Sequence, residues 1–170
     1  MASASVRPEL IERVESGRGS DRELDLDVCL AIGHLQREKN DVFYIDEDGA
    51  RVFGGHGWEI ITPNLTGSLD RVLALIEQRM PGWCPSIVQT LPEFLNPNDR
   101  PWRGDLMGNV REESWGWGEP PEINYDTYGG EAHSAARALL AACLRAIEDQ
   151  ARTLADANSK NPLSEGRERS

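Results

Sequence analysis

The run Ala135-Ala136-Arg137-Ala138-Leu139-Leu140-Ala141-Ala142-Cys143-Leu144-Arg145-Ala146 constrains this chain more than any other segment. Alanine has the highest intrinsic helix propensity, with leucine and arginine close behind. The run therefore predicts a long helix, from residue 131 to about 154. Ala132, Ala135, Ala136, Leu139, Cys143 and Ile147 recur along one apolar face, and their small side chains let a neighbour approach closely. That neighbour is either the rest of the same domain or the same helix in a second copy, packed about a two-fold axis.

Three shorter helices precede it. Pro8 at an early helical position, with Leu10, Ile11 and Val14 on one face, predicts a helix over 8–15 that Gly17 and Gly19 end. Ser20 and Glu23 have the spacing of a capping box, with Asp21 adding charge that suits the helix dipole. Leu24, Val28, Ala31 and Ile32 then recur at helical spacing, and Gly33 is placed to close the helix in the left-handed conformation. The stripe Leu69, Val72, Leu73, Ile76 and Met80 predicts a helix over 68–80, stopped by Pro81 and Gly82.

Strand signals lie between these helices. Residues 42–45 and 51–53 flank a turn-like 46–49 and read as a hairpin, followed by a short extended piece at 58–62. Residues 83–91 read as a strand, and Pro85 within it points to a sheet edge or to a later start. From about 91 to 130 the sequence is rich in proline and glycine. It reads as a loop-rich insert carrying one or two short strands, 106–110 and 113–117. The whole reads as one α/β domain over 8–155, with a flexible N-terminus at 1–7 and a disordered polar tail at 156–170.

Composition excludes several classes of function. A chain of 170 residues buries a core without disulfide or metal staples. Eighteen basic against twenty-nine acidic side chains give a net charge of −11, a field that repels nucleic-acid backbones and anionic membranes. Residues 1–13 hold no apolar core of signal-peptide length, and no stretch of the sequence approaches the length of a membrane span. Cys29, Cys84 and Cys143 are odd in number and lie among apolar neighbours, as reduced core thiols in the cytoplasm do.

The order of these pieces resembles the phage ABA sandwich domain family of small phage and prophage proteins. The resemblance rests on Gly19-Ser20-Asp21-Arg22-Glu23-Leu24-Asp25, on Pro63-Asn64-Leu65-Thr66-Gly67-Ser68-Leu69-Asp70, on Gly82-Trp83 and on the closing alanine-rich helix. It spans roughly residues 8–151, and the insert at 91–130 departs from the pattern. It implies an α/β/α sandwich, a small, mostly antiparallel or mixed sheet flanked by helices, in a phage accessory protein of the host cytosol. It carries over no established activity.

Reactive chemistry usually leaves a local signature, and none is present. The three histidines, His34, His56 and His133, stand in no H-x-x-x-H or H-E-x-x-H frame, and the cysteines form no C-x-x-C pair. No G-x-S-x-G elbow occurs. No catalytic residue, metal ligand or cofactor is assigned. Gly54-Gly55-His56-Gly57 could cradle an anion on backbone N–H groups, or simply turn the chain.

The segment with most binding character joins Trp102 and Arg103 to Arg111, Trp115, Trp117, Tyr125 and Tyr128. Aromatic faces beside arginine stack bases or clamp a partner side chain; the same aromatics equally pack a core. Arg100, Arg103 and Arg111 are the cations near enough in sequence to receive an anion there.

The expectation is a non-enzymatic protein that sequesters a nucleotide-like signal or a host protein, acting against host defence, with a homodimer as its possible assembly. Two alternatives stand beside it. One is a small hydrolase built on His56 or His133 with carboxylates; the other is an acidic structural or nucleic-acid-mimic protein.

Overall fold

A computed structural model of the chain describes residues 6–35, 42–46, 49–53, 59–91, 99–113 and 122–160. Its elements run α1 (Pro8–Ser16), α2 (Arg22–Ala31), β1 (Val42–Asp46), β2 (Gly49–Phe53), β3 (Glu59–Ile61), α3 (Leu69–Arg79), β4 (Cys84–Gln89), β5 (Trp102–Glu113), β6 (Glu122–Ala132) and α4 (Ala135–Lys160). The fold is α/β. Its strands are all antiparallel and form two three-stranded sheets, β1-β2-β3 and β4-β5-β6, rather than one.

The alanine-rich helix is the middle of the molecule. One side of α4 packs on β4-β5-β6 and another on α1 and α3, so Ala136 and every residue from Ala138 to Leu144 is buried. A helix enclosed on all sides needs small or apolar residues around its whole circumference, which is what this run supplies. Its close neighbours are thus elements of its own chain. The helix starts at Ala135, four residues later than the sequence suggests, because Glu131 and Ala132 are still paired in β6. Ser134 begins it by accepting from the Arg137 N–H through its hydroxyl at 3.3 Å. At the other end the helix runs through residues 156–160, which the sequence assigned to a disordered tail.

Glycine makes the sheet-to-helix contact possible. Gly104 on β5 and Gly130 on β6 are cross-strand partners facing α4. A Cβ on Gly104 would lie 2.6–2.7 Å from backbone atoms of Ala138 and Leu139. The proline- and glycine-rich segment is therefore no loop insert over most of its length: it holds β5 and β6, the two longest strands. Glycines that look like turn formers are the places where helix and sheet backbones meet, a known role of strand glycine. The expected strand at 106–110 lies inside β5; of the expected 113–117 only Glu113 is described, as the end of that same strand. Pro85 lies in β4, which among the described residues is an edge strand paired with β5.

Each of the shorter helices forms where periodicity places it, with one change of cap. Asp21, not Ser20, caps α2: its Oδ1 accepts from the Leu24 N–H at 3.0 Å. Ser20 is drawn away because its hydroxyl donates to Asn64 Oδ1 at 2.9 Å. At the far end Gly33 has φ +68°, and the N–H groups of Gly33 and His34 reach the carbonyls of Leu30 and Cys29 at 3.1 and 2.9 Å. This is the double C-terminal closure that a left-handed glycine permits.

The carboxy end of α1 is closed by Arg137, which is 1% exposed. Its Nε donates to the Gly19 carbonyl at 2.8 Å, and its Nη1 to those of Val14 and Arg13 at 3.0 and 3.3 Å. A guanidinium seated on the last carbonyls of a helix satisfies acceptors that would otherwise be orphaned and meets the negative end of the dipole. A Cβ on Gly17 would overlap that guanidinium.

The first two strands pair as a hairpin in register Asp46↔Gly49 to Val42↔Phe53, and β3 adds to β2. No helix of the described residues is long and apolar enough to cross a membrane.

Candidate functional site

Alternation along β5 and β6 separates the aromatic and cationic residues on which the sequence focuses. Trp102, Gly104 and Leu106 face α4, as do their partners Ala132, Gly130 and Tyr128. Arg103, Asp105, Gly129 and Tyr125 belong to the opposite face. Trp102 and Arg103 therefore cannot converge on one ligand. Tyr128 is structural: its ring stacks on Trp83 with centroids 5.8 Å apart, and its hydroxyl donates to Asp149 on α4 at 2.7 Å. Burial, and then that hydrogen bond, push its phenol up to about 12. Tyr125 is exposed. His56, Trp115 and Trp117 lie outside the described residues, as does the side chain of Arg111, whose backbone pairs with Asn124.

The arginines near this sheet are already matched to carboxylates. Arg103 Nε donates to both oxygens of Asp105 at 3.0–3.1 Å. Arg100 reaches back to α1, donating to Glu15 at 3.1 Å and Glu12 at 3.0 Å. Glu15 is the hub: it also accepts from Arg145 on α4 at 2.7 Å and from the Glu131 N–H at 3.1 Å. Burial alone would raise the Glu15 carboxyl. The hydrogen bonds from Arg145 and Glu131, with the charges of Arg145 and Arg100, outweigh burial and leave it lowered. These residues line a small polar cleft of about 330 Å³ together with Gly129 and Gly130. Its cations close the edge of β6 and hold α1, which is structural work.

A larger cavity, about 610 Å³, lies between α2 and α3 over the segment 62–65. Its lining combines the apolar Cys29, Ile32, Leu65, Ala74 and Leu75 with the polar Arg22, His34, Asn64, Arg71 and Gln78. On α3 the lining residues 71, 74, 75 and 78 occupy one helical face. No carboxylate lines it among the described residues, although the chain carries a charge of −11.

The segment before α3 is fastened to the start of α2. Thr66 N–H donates to Asp25 Oδ1 at 2.7 Å, the Asp21 N–H donates to Thr66 Oγ1 at 2.8 Å, and Asn64 Oδ1 accepts from Ser20 and Gly67. Asp25 is fully buried behind this joint. Burial raises its carboxyl despite the hydrogen bonds from Thr66 and the nearby Arg22, whose Nη1 is 3.4 Å away. Arg71, by contrast, makes no ion pair or hydrogen bond among the described residues.

Two of the three cysteines are shielded from reaction. Cys29 and Cys143 are buried, and burial pushes their thiols up to about 12. Cys84, expected in the core, is exposed on the edge strand β4, because its apolar neighbours in sequence do not surround it in the sheet. Among the described residues no group of three or more His, Cys, Asp or Glu could hold a metal ion. His133 lines neither cavity.

No protein family, curated protein or solved structure gives a match to the chain. The groove between α2 and α3 thus stands on its own geometry. Sequence reasoning passed it over because its lining comes from three separate segments.

Proposed function

We propose that this chain is a non-catalytic binding protein that sequesters a small nucleotide-like anion in the groove between α2 and α3, as a phage accessory product acting against host defence would. The observation that carries the binding reading is the character of the groove. Ligand sites are concave, mainly apolar and furnished with a few convergent polar groups. This one has the volume for a small organic molecule and two guanidinium groups, with no lining carboxylate among the described residues of a strongly acidic chain. Arginine is permanently charged and presents a fork of donors suited to phosphate and carboxylate. The phage assignment is supported by the order of sequence phrases alone.

Mass spectrometry of small molecules released from the purified protein tests this reading. Calorimetric titration with nucleoside monophosphates and cyclic dinucleotides complements it. Binding that Arg71→Met weakens supports the groove; silence from every anionic compound overturns it.

A further inference from the structure

The sheet β4-β5-β6 has two edges, and the fold treats them differently. Along β6 the outward backbone groups are taken: the Glu131 N–H donates to Glu15 of α1, and the Gly129 carbonyl accepts from Arg145. Along β4 the described residues place no strand or side chain on the outer edge. The register says which groups are open there. Thr90 N–H donates to the Pro101 carbonyl at 2.8 Å. Thr90, Val88 and Ser86 therefore turn their backbone groups toward β5, and the alternate residues Pro85, Ile87 and Gln89 turn theirs outward. Pro85 stands where β5 requires no N–H, as edge prolines do, and the N–H groups of Ile87 and Gln89 remain beside it. Two large apolar side chains border this edge in solvent, Val88 at 55% and Leu91 at 57% exposure.

We infer that β4 is a self-pairing edge: two copies of the chain join their β4 strands antiparallel about a two-fold axis at Val88, fusing two three-stranded sheets into one. Charge selects the occupant. Residues 80–92 contain no Asp, Glu, Lys or Arg, the longest such run in the chain. Two bodies that each carry −11 repel wherever their acids meet, and this edge brings none together. A basic partner would find no carboxylate on it to attract it. With the axis at Val88, Ile87 and Gln89 of one copy exchange N–H to carbonyl bonds with Gln89 and Ile87 of the other. Pro85 comes opposite Leu91, where its carbonyl still accepts. Val88 meets Val88 of the second copy as a non-hydrogen-bonded pair, the closer of the two antiparallel spacings, with Cα atoms about 4.5 Å apart. An edge contact of this kind is small, so the dimer is weak and reversible.

Sedimentation equilibrium over about two decades of protein concentration tests the association. The proteins are wild type, Val88→Glu, Gln89→Pro and Tyr125→Ser, with circular dichroism as the check on folding. Glutamate at 88 lies across from Arg103 within its own sheet, which favours the monomer fold, while it sets like charges together at the axis. Proline at 89 removes an N–H that β5 does not use. Wild type should dimerise, and each of these two variants should weaken dimerisation at least about tenfold. Tyr125 is exposed on β6, far from the axis, and its replacement should leave the association unchanged. The register is read by cross-linking with diamide as oxidant in a Cys84→Ser background. Val88→Cys should form a disulfide-linked dimer, because a directly opposed pair satisfies disulfide geometry. Thr90→Cys should not, because its counterpart lies about 14 Å away along the strands. A wild type that stays monomeric at every concentration leaves the edge to a foreign strand and overturns the inference. A dimer indifferent to both Val88→Glu and Gln89→Pro, or cross-linked through residue 90 and not 88, overturns it as well.

Discussion

Replacing Gly104 by alanine and, separately, Gly129 by alanine adds the same methyl group to two faces of one sheet and should have opposite consequences. At Gly104 the new Cβ lies 2.6 Å from the Leu139 nitrogen and 2.7 Å from two more backbone atoms of α4. The helix must retreat by about 0.4 Å before the nearest atom reaches 3.0 Å and by about 0.8 Å for ordinary contact. No side-chain rotation relieves that overlap, because the atoms belong to a helix packed on its other side by α1 and α3. Overpacking of this kind costs about 1–3 kcal/mol.

At Gly129 the Cβ meets only the carboxylate tip of Asp105 at 3.1 Å and Arg103 Nη2 at 3.8 Å. Alanine there loses less backbone freedom on folding, a gain of roughly 0.4–1 kcal/mol where the backbone fits. The two variants should therefore differ by about 2–3 kcal/mol, which at a urea dependence of about 1–3 kcal/mol per molar separates their midpoints by roughly 1 M. Urea titration followed by circular dichroism reads this directly. Midpoints closer than about 0.3 M, with equal slopes, would refute the claim that glycine is required for the helix to lie on the sheet.

Two further outcomes follow from the buried groups. Glu15, lowered in the folded state, contributes stability that is complete above its ordinary value of 4.5 and is lost as pH falls through its folded value. Thermal melts should show wild type losing its advantage over Glu15→Gln in that acid window. Asp25 runs the other way: raised by burial, its destabilising charge is absent below 3.8, and Asp25→Asn should gain on wild type as pH climbs through the folded value. In native protein a thiol reagent should label Cys84 alone, with Cys29 and Cys143 reacting only after denaturant is added; rapid labelling of all three would contradict the buried placement of that pair.

Local patterns were legible where local physics decides. The stripes of α1 and α3, the left-handed closure at Gly33, the hairpin 42–53 and the edge character imposed by Pro85 could each be read from neighbouring residues. Contacts between distant segments could not. Ser20 and Asp21 compete for one cap, and the outcome depends on Asn64 and Thr66, more than forty positions away. Gly104, Gly129 and Gly130 look like turn residues until the backbone of α4 is seen against two of them. The aromatic residues drew attention by proximity in sequence, whereas strand alternation sends Trp102 and Arg103 to opposite faces. The groove between α2 and α3 combines residues 22–34, 62–65 and 71–78, and no spacing rule joins those three stretches.

The central position of α4 bears on how this molecule is made. Every element it packs against is translated before it. Until residues 136–144 emerge from the ribosome, α1, α3 and the sheet β4-β5-β6 present apolar faces with nothing to cover them. Assembly must then close several long-range contacts at once, which favours slow folding and an interval of exposure to aggregation and to chaperones.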